Sequence, residues 1–255
     1  MDTLEREAAV DDRARARVRR ARFWVAVAGL LAGLVAFGTG EMVHGLIPAG
    51  KEEVNTMGRL LMLPTGKTTS VAETRNGALT FGLLGVCLGG MLGMAGGLAR
   101  RSSSATLAAG LLGSILGLAV GAGVPFAVLP FFFYAEPLYP QYEMLISIGT
   151  HASIWGLTGA VAGLAFAVGF GERRMYGRAV AAGLVGALLG TIAFDLIGIM
   201  LFPLGNTGQP ISTTWPTRLL ARLLVAVAAA ILVILLLPEP RVRATVAPSR
   251  DRTAG

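Results

Sequence analysis

The chain has 255 residues, of which 54% are hydrophobic and only 15% are charged, with 35 glycines and a mean hydropathy of +0.66. This composition excludes a soluble domain of that length and predicts a polytopic membrane protein of the all-α class. The net charge of +7 would suggest a nucleic-acid partner in a soluble protein. Here the basic residues stand in short segments between apolar runs, where they indicate membrane topology and no nucleic acid.

Residues 1–22 form a polar arm that ends in six arginines between Arg13 and Arg22. We predict that this basic arm is helical and cytoplasmic. The apolar run at 23–40 is longer than the core of a signal peptide, and the Gly-Thr-Gly-Glu that follows is not an A-x-A cleavage site. The run is therefore predicted to stay in the membrane as the first span.

Residues 41–76 make the only long loop that the pattern predicts, and we place it on the extracytoplasmic side. The segment from Val54 to Leu63 is amphipathic and lies in otherwise polar sequence. We expect this short piece to be ordered, with Leu60, Leu61 and Leu63 lying on the membrane surface or over the helix ends.

Five further apolar runs are each long enough to cross about 30 Å of hydrocarbon as a helix. They cover residues 77–99, 106–134, 144–171, 179–203 and 217–237. The sequence thus predicts six transmembrane helices in a membrane domain at 23–238, followed by a disordered cytoplasmic tail at 239–255. The sixth helix is rich in leucine and valine and has no glycine, so we expect it at the periphery.

The distribution of basic residues predicts how the chain is oriented across the membrane. Of the 22 lysines and arginines, 16 lie in the arm, the alternate connectors and the tail, against four in the long loop and two in the last span. The positive-inside rule therefore predicts that both termini are cytoplasmic. Arginine outnumbers lysine by 20 to 2, which with abundant alanine and glycine is typical of GC-rich bacterial genomes and favours the bacterial cytoplasmic (inner) membrane. Aromatic residues near the span ends are expected to form an interfacial belt: Trp24, Trp155, Trp215, Tyr134, Tyr142 and Tyr176.

Glycines recur at i, i+3 and i+7 in four of the runs, so each triplet falls on one face of a helix. Residues without a side chain let a neighbouring backbone approach closely, which predicts helix packing and no chemistry. The twelve packing candidates are Gly82, Gly85, Gly89, Gly110, Gly113, Gly117, Gly156, Gly159, Gly163, Gly183, Gly186 and Gly190. Shifts of 73 and 74 residues superpose the region of about 77–134 on 151–204, which predicts a tandem parallel two-helix repeat.

Ionisable residues in four of the spans fall at one depth, about 10–12 Å from the outer boundary at 1.5 Å per helical residue. This candidate polar layer consists of Glu41, His151, Asp195, Arg218 and Arg222. An unpaired charge within a span costs about 3 kcal/mol on insertion scales, so we expect the two acids to neutralise the two arginines. Two interpretations stay open: ion pairs that orient helices, and a proton- or ion-handling pocket open to the outside.

The spans contain no recognisable catalytic constellation, and we expect no enzyme activity. Ser147 and His151 are four residues apart on one helix, but no acid beside them in sequence would orient the imidazole. The only other histidine is His44, and neither histidine has haem-like surroundings. No metal site and no cofactor are predicted.

An acidic residue closing the first span, the turn GGLARRS at Gly96–Ser102 and the segment TRLLARLL at Thr217–Leu224 resemble a group of bacterial multi-pass membrane proteins with glycine-striped helix repeats. The resemblance covers most of the chain and implies no activity, because none is assigned to that group. Two function classes remain. One is a non-catalytic structural, assembly or accessory component, whose partners would be the lipid bilayer, a second copy or another membrane protein. The other is a small-solute or ion transporter or channel that uses the outer polar layer.

Overall fold

The computed structural model describes residues 3–237, with side chains described from Asp12 onward. It contains six helices that are long and apolar enough to cross a membrane, as predicted. They are α1 (Thr3–Val43), α2 (Gly66–Arg100), α3 (Ser103–Leu138), α4 (Glu143–Phe170), α5 (Tyr176–Leu201) and α6 (Trp215–Leu235). Single turns of 3-10 helix at Pro140–Tyr142 and Arg173–Met175 precede α4 and α5. The tail that we predicted to be disordered lies outside the described residues.

Five of the helices form a ring in which α1 contacts α2, α2 contacts α4, α4 contacts α5, α5 contacts α6, and α6 returns to α1. The third helix, α3, packs from outside against α2 and α4. Only 28% of the apolar window of α3 is buried, against 44% in α6. The expected peripheral position of the sixth helix is therefore wrong, because α6 closes the ring and α3 is the outlying helix.

The predicted loop at 41–76 is mostly ordered. Its first residues continue α1 to Val43, and its last eleven residues form the start of α2. Between them, β1 (Lys51–Thr56) and β2 (Arg59–Pro64) pair as an antiparallel hairpin. Both residues of its turn, Met57 and Gly58, have positive φ, as a type I′ turn requires. The amphipathic piece that the sequence indicated is thus part of a β-hairpin.

The hairpin leucines are exposed and do not cover the helix ends. Relative exposure is 70% for Leu60, 45% for Leu61 and 41% for Leu63. Successive side chains of a strand point to opposite faces of the sheet, so the consecutive apolar residues of β2 lie on both faces. No other element of the described structure packs on this two-stranded sheet to bury them. Their contact with the membrane surface stays a prediction.

The turn between α2 and α3 is tight, and local hydrogen bonds at both helix ends fix it. Arg101 ends α2 in the left-handed conformation, with φ of 59°, and its backbone N–H donates to the carbonyls of Gly97 and Leu98. Ser102 begins α3 by accepting a hydrogen bond from the backbone N–H of Ala105. These contacts reverse the chain within two residues and set α2 and α3 antiparallel.

The antiparallel pairs α2–α3 and α4–α5 pack backbone against backbone at glycines of the four triplets, which together are called the glycine stripe. A Cβ atom added at Gly85 would collide with the carbonyl of Gly117 on α3, and one added at Gly159 would collide with the carbonyl of Gly183 on α5. Only glycine permits such an approach. The two pairs use the same kind of contact, while the tandem repeat itself stays a prediction.

The striped glycines do not all face the expected neighbour. Gly186 and Gly190 lie against the backbone of α6, where an added Cβ would be 2.6 Å from the carbonyl oxygen of Ala228 and 2.9 Å from that of Leu224. At Gly82 the nearest atoms belong to side chains and lie 3.2 Å away. The stripe therefore serves two interfaces on α5, which explains how a glycine-free α6 enters the ring.

Candidate functional site: an outer polar layer

The five residues predicted for the polar layer lie at the end of the bundle where α1 ends and α2 begins, called the outer end here after the predicted orientation. They form two groups. One group joins Glu41 on α1 to Arg218 and Arg222 on α6, and the other joins His151 on α4 to Asp195 on α5. The predicted pairing of both acids with the arginines is therefore half wrong.

All three guanidinium nitrogens of Arg218 donate hydrogen bonds. Its Nε donates to Oε1 of Glu41 at 2.7 Å and its Nη2 donates to Oε2 at 2.6 Å, which is the bidentate arrangement of a strong arginine–carboxylate pair. Its Nη1 donates to the carbonyls of Ser212 and Thr213 at 3.0 and 2.8 Å. The pair thereby connects the first and last transmembrane helices and holds the chain that leads into α6.

Arg222 lies one turn deeper on α6 and makes fewer and longer polar contacts than Arg218. Its Nη1 donates to the carbonyl of Phe37 at 3.3 Å and lies 3.7 Å from Oε1 of Glu41. The side chain is only 7% exposed. A Cβ atom at Gly40 would lie 2.7 Å from Nη1, so the guanidinium occupies space that any other residue there would fill. One carboxylate therefore serves two buried arginines and closely contacts only one.

The second group is a buried histidine–aspartate pair. His151 Nδ1 lies 3.1 Å from Oδ1 of Asp195, and Nε2 lies 3.3 Å from the carbonyl oxygen of Gln209. A carbonyl only accepts, so Nε2 must carry a proton for that hydrogen bond to form. A neutral imidazole beside the carboxylate donates to one of these two partners at a time and gives the pair one negative charge. A ring protonated on both nitrogens donates to both and gives the pair no net charge.

Asp195 supplies the acid that is not close to His151 in sequence, and His151 makes no hydrogen bond to Ser147 in the described structure. Nε2 is directed to Gln209, and the hydroxyl of Ser147 has no hydrogen-bond partner among the described residues. A serine activated by histidine would need a hydrogen bond between the two side chains. The arrangement connects α4, α5 and the segment before α6.

Trp155 stacks on His151 with ring centroids 4.5 Å apart and an angle of 8° between the rings. It is 3% exposed, so its predicted place in an interfacial belt is wrong. The reason is depth, because Trp155 lies twelve residues into α4, one turn beyond His151 on the same face. Tyr134 and Trp215 are exposed at span ends, as a belt requires.

A cavity of about 20 Å³ separates the two groups. The polar side chains that line it come from α2, α4, α6 and the segment before α6: Thr80, His151, Trp155, Ser212, Arg218 and Arg222. Two of these residues carry buried donors that have no partner among the described residues, the Thr80 hydroxyl and the Trp155 indole N–H. Neither was predicted from the sequence. The spacing of four between His151 and Trp155 was the available signal, and nothing near Thr80 distinguished it from other span threonines.

A second cavity of about 220 Å³ lies on the other side of the histidine–aspartate pair. Glu143, Ser147, Asp195 and Thr207 contribute its polar lining. The Ser147 hydroxyl and Oδ2 of Asp195 are buried there and have no partner in the described part of the chain. The pair therefore borders both cavities, the first through His151 and the second through Asp195.

His44 lies just beyond the end of α1, outside the spans. Partial burial lowers the pKa of its imidazole below 6.5, and the nearby positive charge of Arg218 lowers it further, while Glu41 acts in the opposite direction. His44 is therefore neutral at neutral pH and belongs to neither group.

No known protein family, curated protein or solved structure matches this chain. What the contacts show is a multi-pass helical membrane protein in which the most deeply buried ionisable side chains of the described residues, His151, Asp195, Arg218 and Arg222, lie together at one end.

Proposed function

We propose that this protein is a non-catalytic integral membrane component, with a structural, assembly or accessory role and no transport activity. The observation that carries the proposal is the distribution of buried polar groups. In the described residues deeper than the outer layer, the buried polar side chains of the membrane core are Thr158 and Thr191. Each returns its hydroxyl to a carbonyl of its own helix, at 2.8 and 2.9 Å. A pathway across a membrane requires polar lining at more than one depth.

The helix geometry supports the same proposal. Transporters of the inverted- and parallel-repeat classes commonly bind their substrate where helices are interrupted. Here α3 continues through Pro125 and Pro130, and α5 runs unbroken to Leu201. The glycine contacts bring the backbones of α2 and α3, and of α4 and α5, together in the core of the bundle. The larger cavities, about 630 Å³ between α3 and α4 and about 220 Å³ beside Asp195, are lined mainly by residues of the outer halves of these helices.

An assembly role requires a surface for partners, and the hairpin of β1 and β2 is the best candidate. Its turn residue Met57 is fully exposed, and Leu60, Leu61 and Met62 are also exposed. So many apolar side chains on a two-stranded sheet outside the spans favour contact with the membrane surface. Tryptophan placed at Met62 should be quenched by lipids brominated near the headgroup. A solvent-like emission without quenching would contradict this contact.

The orientation belongs to the same proposal, with both termini in the cytoplasm of a bacterial inner membrane. Reporter fusions after Ser102, in the turn between α2 and α3, should give cytoplasmic activity, and fusions after Gly58 should give extracytoplasmic activity. The reverse result would contradict the positive-inside argument.

The alternative is a small-solute or ion transporter, and one observation favours it: the His151–Asp195 pair lines two cavities, His151 the first and Asp195 the second. Flux measurements separate the two functions. We expect proteoliposomes to pass protons and small ions no faster than empty vesicles across a pH gradient. The Asp195→Asn variant is the matched control, because it keeps the shape of the side chain. Flux that the wild type supports and this variant loses would overturn the structural proposal.

A further inference from the structure

We propose that the 20 Å³ cavity between Trp155 and Arg222 is a binding site for a single monatomic anion, with chloride as the reference ion. This inference goes beyond the structural role proposed above. The site lies where α2, α4 and α6 meet, so a bound ion would connect three helices that make few direct polar contacts with one another.

The first argument is charge, because the cavity is bordered by more positive than negative charge. Arg218 and Arg222 both line it, and Glu41 is the one carboxylate among the described residues that contacts them. The other acid of the layer, Asp195, contacts His151 and neither arginine. The two arginines therefore carry one positive charge more than their contacts balance. A buried charge of this kind is stabilised by a counterion.

The second argument is the excess of donors. Arg222 makes one hydrogen bond among the described residues, through Nη1, and so most of its N–H groups have no acceptor. The Thr80 hydroxyl and the Trp155 indole N–H are buried and have no partner among the described residues. An indole N–H can only donate. The N–H and O–H groups of these three side chains therefore outnumber the side-chain acceptors of the lining, which are the hydroxyls of Thr80 and Ser212, and such an excess of donors favours an anion.

The third argument is size. A space of about 20 Å³ holds one water-sized particle, since a water requires about 10–15 Å³ by the same measure. It excludes phosphate, sulfate and carboxylate ligands unless helices separate. A single water would accept at most two hydrogen bonds and carry no charge. An anion accepts from all the donors and also balances the extra positive charge.

The test uses the full chain in nanodiscs, titrated with sodium chloride against sodium gluconate at constant ionic strength. We expect saturable thermal stabilisation by chloride and bromide and none by gluconate. Crystals grown in bromide should show an anomalous peak between Trp155 and Arg222. A water in that position under bromide, or no saturable effect, would overturn the proposal.

Matched threonine variants connect the effect to the cavity. Thr80→Val removes a lining hydroxyl without changing shape and should raise the half-saturating chloride concentration about five- to tenfold, the factor for one hydrogen bond. Thr74→Val is the control, because Thr74 lies on the same helix, is buried, and bonds its hydroxyl to Ser70 at 2.7 Å away from the cavity. Equal shifts in the two variants would place the ion elsewhere and contradict the assignment.

Discussion

The core of the bundle and its outer layer are both buried, but they are held together by opposite means. In the core, glycines remove side chains so that backbones touch, and the interaction depends on shape alone. In the outer layer, long charged side chains span the gaps between helices, and the interaction depends on matching charges. A small helical membrane protein can thus obtain close packing from the absence of side chains and a specific arrangement of helices from a few ionised groups.

Breaking the core should have the largest effect. Gly85→Leu places a side chain where the carbonyl of Gly117 lies, which forces α2 and α3 apart along their contact. We expect loss of folded protein, measured as the monodisperse fraction after detergent extraction. Gly123→Leu is the matched control on α3, because an added Cβ there meets no atom within 4 Å. Equal yields for the two variants would contradict the packing role of the stripe.

Removing the shared carboxylate should have the next largest effect. Glu41→Gln leaves Arg218 and Arg222 buried without a countercharge, and we expect a loss of about 3 kcal/mol in the free energy of unfolding. Equilibrium unfolding in mixed detergent measures it. Glu41→Gln combined with Arg218→Gln should recover part of this loss, since one unpaired charge is then removed with its partner. Recovery should be incomplete because Arg222 remains, and strictly additive losses would contradict the pairing.

The histidine–aspartate pair should be less sensitive to loss of charge. In Asp195→Asn the amide N–H can donate to Nδ1 of His151, while Nε2–H still donates to Gln209, so both hydrogen bonds survive. We expect a change below about 1 kcal/mol. Asp195→Leu removes the partner altogether and should cost about 1–3 kcal/mol. A larger loss for the asparagine variant than for the leucine variant would show that the pair is not held as described.

The smallest effect should come from His44. Its pKa is lower in the folded protein than the 6.5 of the free imidazole, so the unfolded chain binds more protons as the pH falls. The stability contribution is therefore fully present above about pH 7.5 and declines below it. NMR titration of the imidazole should show the lowered pKa, and His44→Gln should remove this part of the acid sensitivity. A pKa above 6.5 would contradict the stated influence of burial and Arg218.

The features that could be predicted from the sequence are those in which a single sequence pattern determines a single structural property. Runs of apolar residues predicted six helices because the length of a span is fixed by the bilayer, and glycine spacing indicated faces that do contact backbones at Gly85 and Gly159. It also placed five ionisable residues at one depth by counting residues. These inferences need no knowledge of which helices are neighbours.

The failures share one cause, which is that pairing depends on the order of helices around the ring. Asp195 lies beside α4 and so meets His151, whereas α1 and α6 are adjacent and leave Glu41 to both arginines. No periodicity in the sequence specifies which helices are neighbours in the ring. The hairpin was missed for a local reason, because a two-residue turn with positive φ at Met57 is not favoured by methionine.

The bidentate ion pair of Glu41 and Arg218 relates the first described helix to the last during membrane insertion. The two residues lie 177 positions apart in the chain, on α1 and α6. Arg218 and Arg222, the fourth and eighth residues of α6, therefore raise the cost of inserting this helix until α1 provides the carboxylate, each by less than the value of about 2.5–3.5 kcal/mol for an arginine at the middle of a helix. Membrane insertion of α6 is thus coupled to an α1 that is already in place. A chain with an incorrectly oriented first helix would leave its last helix without a partner and expose it to quality control.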